Sequence, residues 1–237
     1  MKIKDIEDVV KKHTEIIDEE LDAIDKATNH RSILTKVKPK VVTTEHDTIV
    51  NVNEYGYRSD SFASKNGFMF LGCSLTLGYA LEEDDSWPWI VGKHFDVKVW
   101  NLAQGGRGDD VCFMNAIRWI PKLKPKVVCM LIPSPGRFQF FDYDHKKLFK
   151  EFHLYDLPKK PKFPWLFNPK HLYLSSLKNV MGIKLICDEY NIPFIAESST
   201  EILDWPDKAK DGTHPGPKWQ KRVSNLFIKK IETIIGL

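Results

Sequence analysis

Short apolar runs alternate along the chain with longer segments in which apolar residues recur every three or four positions. Four of the runs have the length and composition of buried strands, at residues 67–72, 97–102, 127–132 and 193–196. The longer segments predict helices at residues 87–95, 109–123, 171–190 and 217–235. Strands separated by helices predict an α/β fold with three layers, in which helices cover both faces of a mostly parallel central sheet.

Two further segments fall outside this alternation. Residues 3–27 predict an amphipathic helix whose single apolar stripe must cover either the main domain or a second subunit, as in a homo-oligomer. Its apolar positions are Ile3, Ile6, Val10, Ile17, Leu21 and Ile24. Residues 28–45 are polar and rich in lysine, which predicts a connector within an N-terminal region of residues 1–45 and a main domain over residues 46–237.

An insert rich in Phe, Lys and Pro follows the third strand, and we predict an irregular structure for it over about residues 138–170. Its aromatic side chains either form a wall for a sugar or an acyl chain, or pack the insert onto the domain. They are Phe138, Phe140, Phe141, Phe152, Phe163, Trp165 and Phe167.

Composition and charge narrow the classes of function. The 237 residues include 35 Lys plus Arg and 32 Asp plus Glu, and a net charge of +3 is too small to indicate nucleic acid as the main partner. No apolar run approaches the roughly 18–20 residues that span a bilayer, and the first residues lack the apolar core of a secretory signal. The four cysteines occur singly rather than in zinc or disulfide patterns. We therefore expect a cytoplasmic protein with reduced thiols.

Polar and glycine-rich segments follow each predicted strand, where open α/β sheets bind their ligands. Residues 72–78 follow the first strand, residues 103–110 the second, residues 133–137 the third and, after a loop, residues 211–215 the last. Because the carboxyl ends of parallel strands meet at one edge of a sheet, these four segments are the candidate site.

Ser74 lies between Gly72 and Gly78, directly after a strand. A serine at such a turn serves either as a nucleophile, with its own N–H near the reacting oxygen, or as a helix N-cap. Asp211 and His214 are three residues apart, a spacing that lets the carboxylate accept the ring N–H and leave the other nitrogen as a base. The alternative is that Asp211 or Thr213 caps the last helix and His214 is a surface residue.

The segment Gly105-Gly106-Arg107-Gly108 lacks the spacing of a dinucleotide or P-loop motif, so it supplies either a backbone oxyanion donor or a simple tight turn. Asp211 and His214 have no third ligand at motif spacing, which argues against a metal site, and we expect no cofactor. Arg58, ahead of the first strand, either reaches the site as a substrate-binding residue or pairs with Asp60.

Together, these segments resemble the SGNH, or GDSL-type, hydrolase superfamily over about residues 67–235. The resemblance rests on residues 72–78, on Asn101 with Gly105-Gly106, and on Asp211-x-x-His214-Pro215. It implies a flavodoxin-like fold and an esterase, lipase or carbohydrate deacetylase. By position it implies that Ser74 is the nucleophile, that Asp211 and His214 complete the triad, and that the N–H groups of Ser74 and Gly106 bind the oxyanion.

One departure from the family pattern affects the oxyanion site. Ser134 stands where the family usually has an Asn, and Arg137 would compensate with its charge, as a substrate-binding residue, if its side chain points inward. The first hypothesis is therefore a serine hydrolase of carboxylic esters, including O-acyl groups on carbohydrate. The alternative is a weakly active or inactive SGNH-like module that binds a glycan or a partner protein.

Overall fold

The computed structural model of the chain describes residues 38–135, 137–142, 147–153, 168–199, 202 and 204–236. The helix predicted over residues 3–27 lies outside the described residues, as does most of the predicted connector. The strands are β1 (Lys40–Thr43), β2 (Ile49–Val52), β3 (Gly67–Leu71), β4 (Lys98–Asn101), β5 (Val128–Ile132), β6 (Arg137–Asp142), β7 (Lys147–His153) and β8 (Phe194–Ser198). The helices are α1 (Ser74–Leu77), α2 (Trp87–Phe95), α3 (Asp109–Leu123), α4 (Pro169–Glu189) and α5 (Pro217–Ile235).

The central sheet has four strands in the order β4-β3-β5-β8, and every neighbouring pair is parallel. All five residues of β3 are buried, as expected for a strand covered on both faces. The α/β prediction with a parallel central sheet is confirmed, and so are the bounds predicted for α2, α3 and α5.

Two apolar cores lie on opposite faces of the sheet because successive side chains of a strand point to opposite sides. On one face, Met69 and Leu71 of β3 pack with residues of α3 and α4. On the other face, Phe68 and Phe70 pack with residues of α2 and α5, where Trp87 stacks on Phe227 with ring centroids 4.4 Å apart. No helix among the described residues is both long and apolar enough to cross a bilayer.

Two antiparallel hairpins lie outside the central sheet, and both correct a prediction. Strands β1 and β2 pair with each other, so residues 40–43, assigned to a connector, form a strand. Strands β6 and β7 form the second hairpin within the insert that was predicted to be irregular. The side chains of Val41 and Ile49 are 67% and 58% exposed. The opposite side of the hairpin is covered, since Val50 is buried and Val42 and Val52 are half-buried. Apolar residues therefore occur on both sides of the hairpin, which hides the period of two in the sequence.

All four cysteines are free, buried thiols. Burial raises the pKa of Cys129 and Cys187, for Cys187 to about 12, which keeps both groups protonated and unreactive near neutral pH. The reactive groups of the chain are therefore to be sought elsewhere.

Candidate active site

The turn that carries Ser74 is shaped by two glycines. A Cβ on Gly72 would lie 2.1 Å from Thr76 Oγ1, and Gly78 adopts a left-handed φ of +72° at the end of α1. The N-cap of α1 is Cys73, so the Ser74 hydroxyl does not cap the helix. Ser74 is instead the first residue of α1, immediately beyond the carboxyl end of β3.

A four-residue helix cannot stabilise itself, and buried amide side chains from distant elements bind the carbonyl groups of α1. Asn101 Nδ2 donates to Thr76 O at 3.0 Å, and Gln220 Nε2 donates to Leu75 O at 3.2 Å. Both amide residues are almost completely buried. Sequence reasoning missed Gln220, although a polar residue beside the apolar positions of α5 was the available signal.

Arg58 also binds this turn, which corrects its prediction as a substrate-binding residue. Its guanidinium donates to Gly78 O at 2.6 Å and to Leu81 O at 2.8 Å, and the residue is only 6% exposed. The alternative pairing with Asp60 is also wrong, because the carboxylate that lies near the Arg58 guanidinium is that of Glu83, 3.8 Å from Nε. Arg58 is therefore a structural residue that holds the end of the nucleophile turn.

We expect Arg58→Met to destabilise the protein by about 2–3 kcal/mol, since it removes charged hydrogen bonds and leaves buried carbonyl groups unpaired. Arg222→Met is the control, because Arg222 is half-exposed and pairs with the exposed Asp204. Arg222→Met should change the free energy of unfolding by less than about 0.5 kcal/mol. Urea unfolding of both variants measures the difference, and equal stabilities would contradict the assigned role of Arg58.

Residues 207–216 form a tight turn that carries Asp211 and His214. Ala209 N donates to His214 O at 2.8 Å, and Gly216 N donates to Asp207 O at 3.0 Å. The Asp207 carboxylate accepts from the backbone N–H groups of Lys218 and Trp219 in the first turn of α5. The N-cap residue of α5 is Gly216, and Asp207 rather than Asp211 or Thr213 binds the N–H groups of its first turn.

The structure brings the side chains of Ser74, His214 and Asp211 into one hydrogen-bonded chain. His214 Nε2 lies 3.0 Å from Ser74 Oγ, and His214 Nδ1 lies 2.6 Å from Asp211 Oδ2. The side chain of Asp211 is 7% exposed and that of His214 is 28% exposed. The carboxylate thus lies on the inner side of the imidazole, while the imidazole itself remains accessible to a ligand.

Asp211 is held in its ionised form. Burial alone would raise the pKa of this carboxyl, but hydrogen bonds outweigh it and keep the pKa well below its usual range. The donors are the Thr213 hydroxyl at 2.5 Å, the His214 ring, and the backbone N–H groups of both residues. A permanent carboxylate at this position fixes the proton of a neutral imidazole on Nδ1 and leaves Nε2 as the acceptor toward Ser74.

The other predicted site residues follow neighbouring strands. Gly106 has a φ of +75° in a turn anchored by the hydrogen bond from Gln104 N to Gly72 O. Ser134 is half-buried, two residues beyond the end of β5. Arg137 begins β6, and its Nη1 is buried with no hydrogen-bond partner in the part of the chain that the structure describes. All three residues follow the carboxyl ends of β4 and β5, the two strands that flank β3.

No group of three or more His, Cys, Asp or Glu side chains is arranged as a metal site among the described residues.

Comparison with known proteins gives structural neighbours only, since no family model and no curated protein matches the sequence. The chain is similar to the psychrotrophic esterase EstA from Pseudoalteromonas sp., with 14% identity, a TM-score of 0.39, and coverage of 73% of this chain and 100% of that one. It is similar to a carbohydrate esterase, with 13% identity, a TM-score of 0.44, and coverage of 72% and 66%. A GDSL-like lipase from Bacteroides thetaiotaomicron is a third such neighbour, with 15% identity, a TM-score of 0.35, and coverage of 71% and 89%.

Proposed function

We propose that this chain is a serine hydrolase of the SGNH type that cleaves carboxylic esters. The observation that carries the proposal is the hydrogen-bonded chain from Ser74 Oγ through both ring nitrogens of His214 to Asp211. A nucleophile, a base and a group that orients the base, each within hydrogen-bond reach of the next, form the arrangement that acyl transfer requires.

In the proposed mechanism, His214 Nε2 takes the proton of Ser74 as Oγ attacks the acyl carbon. Asp211 stays ionised and stabilises the imidazolium that forms. The imidazolium then gives its proton to the departing alcohol, which leaves an acyl group on Ser74. Water, deprotonated by the same imidazole, hydrolyses this acyl-enzyme and restores the serine.

In the proposed mechanism, two backbone N–H groups and one side-chain hydroxyl bind the oxyanion. The N–H of Ser74 is in the first turn of α1, where backbone N–H groups have no partner within the helix. The N–H of Gly106 comes from the adjoining turn, and the hydroxyl of Ser134 is the third proposed donor. Arg137 is the proposed charged residue of the substrate site, which its buried, unpaired Nη1 supports.

The proposed substrate is a carboxylic ester, carried by a small molecule or, as an O-acyl group, by a carbohydrate. The alternative is a weakly active or inactive module of the same fold that binds a glycan or a partner protein, which the serine at position 134 favours. A fluorophosphonate probe separates the two, because only an activated serine displaces the fluoride and gains the phosphonate mass. Labelling that maps to Ser74 supports the hydrolase, whereas an unlabelled protein supports the binding module.

We expect Ser134→Ala to lower kcat and kcat/KM by similar factors with little change in KM, because an oxyanion donor meets its full charge only in the transition state. A freely rotating hydroxyl should contribute less than the roughly 100- to 1000-fold of a well-placed amide. Steady-state hydrolysis of p-nitrophenyl acetate measures both constants. A change in KM alone would make Ser134 a substrate-binding residue. Unchanged kcat and KM would mean that the backbone N–H groups bind the oxyanion without Ser134.

A further inference from the structure

The β1–β2 hairpin is attached to the segment that follows the nucleophile turn. Ile49 N donates to the Glu82 carboxylate at 3.0 Å. Asn51 donates to the Glu83 carboxylate twice, through its backbone N–H and its side-chain amide, each at 2.7 Å. The hairpin is therefore fixed to the chain just beyond α1.

The turn of the same hairpin reaches the base through Tyr79. The Tyr79 hydroxyl donates to Glu45 Oε1 at 2.5 Å and lies 3.3 Å from His46 Nε2. The ring of Tyr79 packs against the imidazole of His214, with centroids 4.9 Å apart and planes inclined by 47°. The hairpin thus borders the face of the imidazole that Tyr79 covers.

Lys210 joins the hairpin, the segment after α1, and the turn that carries the base. Its Nζ donates to Glu82 Oε1 at 2.7 Å and to Asp47 O at 2.8 Å, and its backbone N donates to Ala80 O at 3.2 Å. Because Lys210 directly precedes Asp211, these three bonds fix the start of the acid–base segment relative to the chain that leaves Ser74.

The ion pair between Lys210 and Glu82 is partly open to water. The hydrogen bond from Lys210, followed by that from Ile49 N, lowers the pKa of Glu82, so the carboxylate is charged at neutral pH. The two side chains are 47% and 40% exposed, and pairs of this kind add little to global stability. Any strong effect of Lys210 must therefore come from local geometry.

We propose that Lys210 is a positioning residue, which uses Glu82 and the β1–β2 hairpin to hold the segment of Asp211 and His214 at its reacting distance from Ser74. The inference rests on the proposed function, since the distance matters only if His214 acts on Ser74. A displacement of about 1 Å in such a pair lowers the rate by as much as about 100-fold.

The test compares Lys210→Met, Glu82→Gln and the double variant with Lys184→Met. Lys184 is a matched control, because its side chain is also 47% exposed and pairs with Asp188 at 2.6 Å, on α4. Three quantities are measured on the full chain: the rate of fluorophosphonate labelling, kcat and KM for p-nitrophenyl acetate, and amide hydrogen exchange over residues 207–215.

Lys210→Met is expected to slow labelling and kcat by about tenfold, with KM within about twofold and faster exchange over residues 207–215. Its Tm should stay within about 2 °C of the wild type, and so should that of Lys184→Met, which should also react and exchange like the wild type. Lys210→Arg should keep most of the wild-type labelling rate and kcat. The double variant should be no slower than Lys210→Met, because both changes break the same bridge.

Wild-type labelling and exchange in Lys210→Met would overturn the proposal, as would additive effects of Lys210→Met and Glu82→Gln. A wild type that takes no label would refute the hydrolase instead. The exchange comparison would then still decide whether Lys210 orders residues 207–215, since it needs no turnover.

Discussion

Ser74→Ala is expected to abolish fluorophosphonate labelling and to reduce ester hydrolysis to background. Loss of the nucleophile in a serine triad lowers kcat on the order of 10⁶-fold. Stability should change by less than about 1 kcal/mol, because the substitution removes one hydroxyl and leaves His214 partly accessible to water. Intact mass after labelling, p-nitrophenyl acetate hydrolysis and urea unfolding measure the three effects.

Ser61→Ala is the control for this variant. Ser61 is an exposed serine ahead of β3 whose hydroxyl contacts Glu54 and not the triad. The Ser61→Ala variant should take the fluorophosphonate label and hydrolyse p-nitrophenyl acetate at wild-type rates. Hydrolysis retained by purified Ser74→Ala would remove Ser74 from the nucleophile role and with it the proposed function.

Asp211→Asn is expected to lower kcat on the order of 10⁴-fold, the loss seen when the equivalent change is made in a well-studied serine triad. The amide presents an N–H toward His214 Nδ1, which favours the tautomer with its proton on Nε2 and removes the acceptor for the Ser74 proton. Steady-state kinetics with p-nitrophenyl acetate measure the loss. Asp204→Asn, at an exposed residue that pairs with Arg222, should keep wild-type activity.

The pH dependence of kcat/KM in the wild type tests the roles proposed for His214 and Asp211. Because hydrogen bonds keep the pKa of Asp211 well below its usual range, the carboxylate stays charged throughout the neutral and mildly acidic range. We therefore expect kcat/KM to fall at acidic pH through protonation of the proposed base rather than of Asp211. A flat profile between about pH 5 and 8 would contradict a histidine base.

Much of the fold was predictable because an element that buries one face has apolar residues at regular spacing in the sequence. Helices α2, α3 and α5 have the predicted bounds, since each buries a stripe whose spacing is visible in the residues. The β1–β2 hairpin was missed because its strands are short and carry apolar residues on both sides, with Val41 and Ile49 exposed and Val50 buried. Strands β6 and β7 were missed because their lysines and aromatic residues give no clear alternation in the sequence.

Some residues of the candidate site were likewise predictable from the sequence, and others were not. Ser74, Asp211 and His214 were predicted because each is at a strand end or in a loop with a spacing that suits its chemistry. Arg58 was misassigned because a lone arginine before a strand does not reveal whether its guanidinium faces substrate or backbone. Lys210 gave no signal at all, since a surface lysine beside an aspartate is common and its partner Glu82 is 128 residues away.

The sequence by itself determined the four strands of the central sheet, the helices α2 to α5, and the three side chains proposed for the chemistry. Burial and tight turns restrict which residue types can stand at a position, so these features are visible in the sequence. Only the tertiary structure decided which buried polar groups face α1 and what holds the acid–base turn in place. Asn101, Gln220 and Arg58 bind carbonyl groups far along the chain, and Lys210 joins three segments. Such hydrogen bonds depend on where the sheet brings distant residues together, which no local pattern encodes.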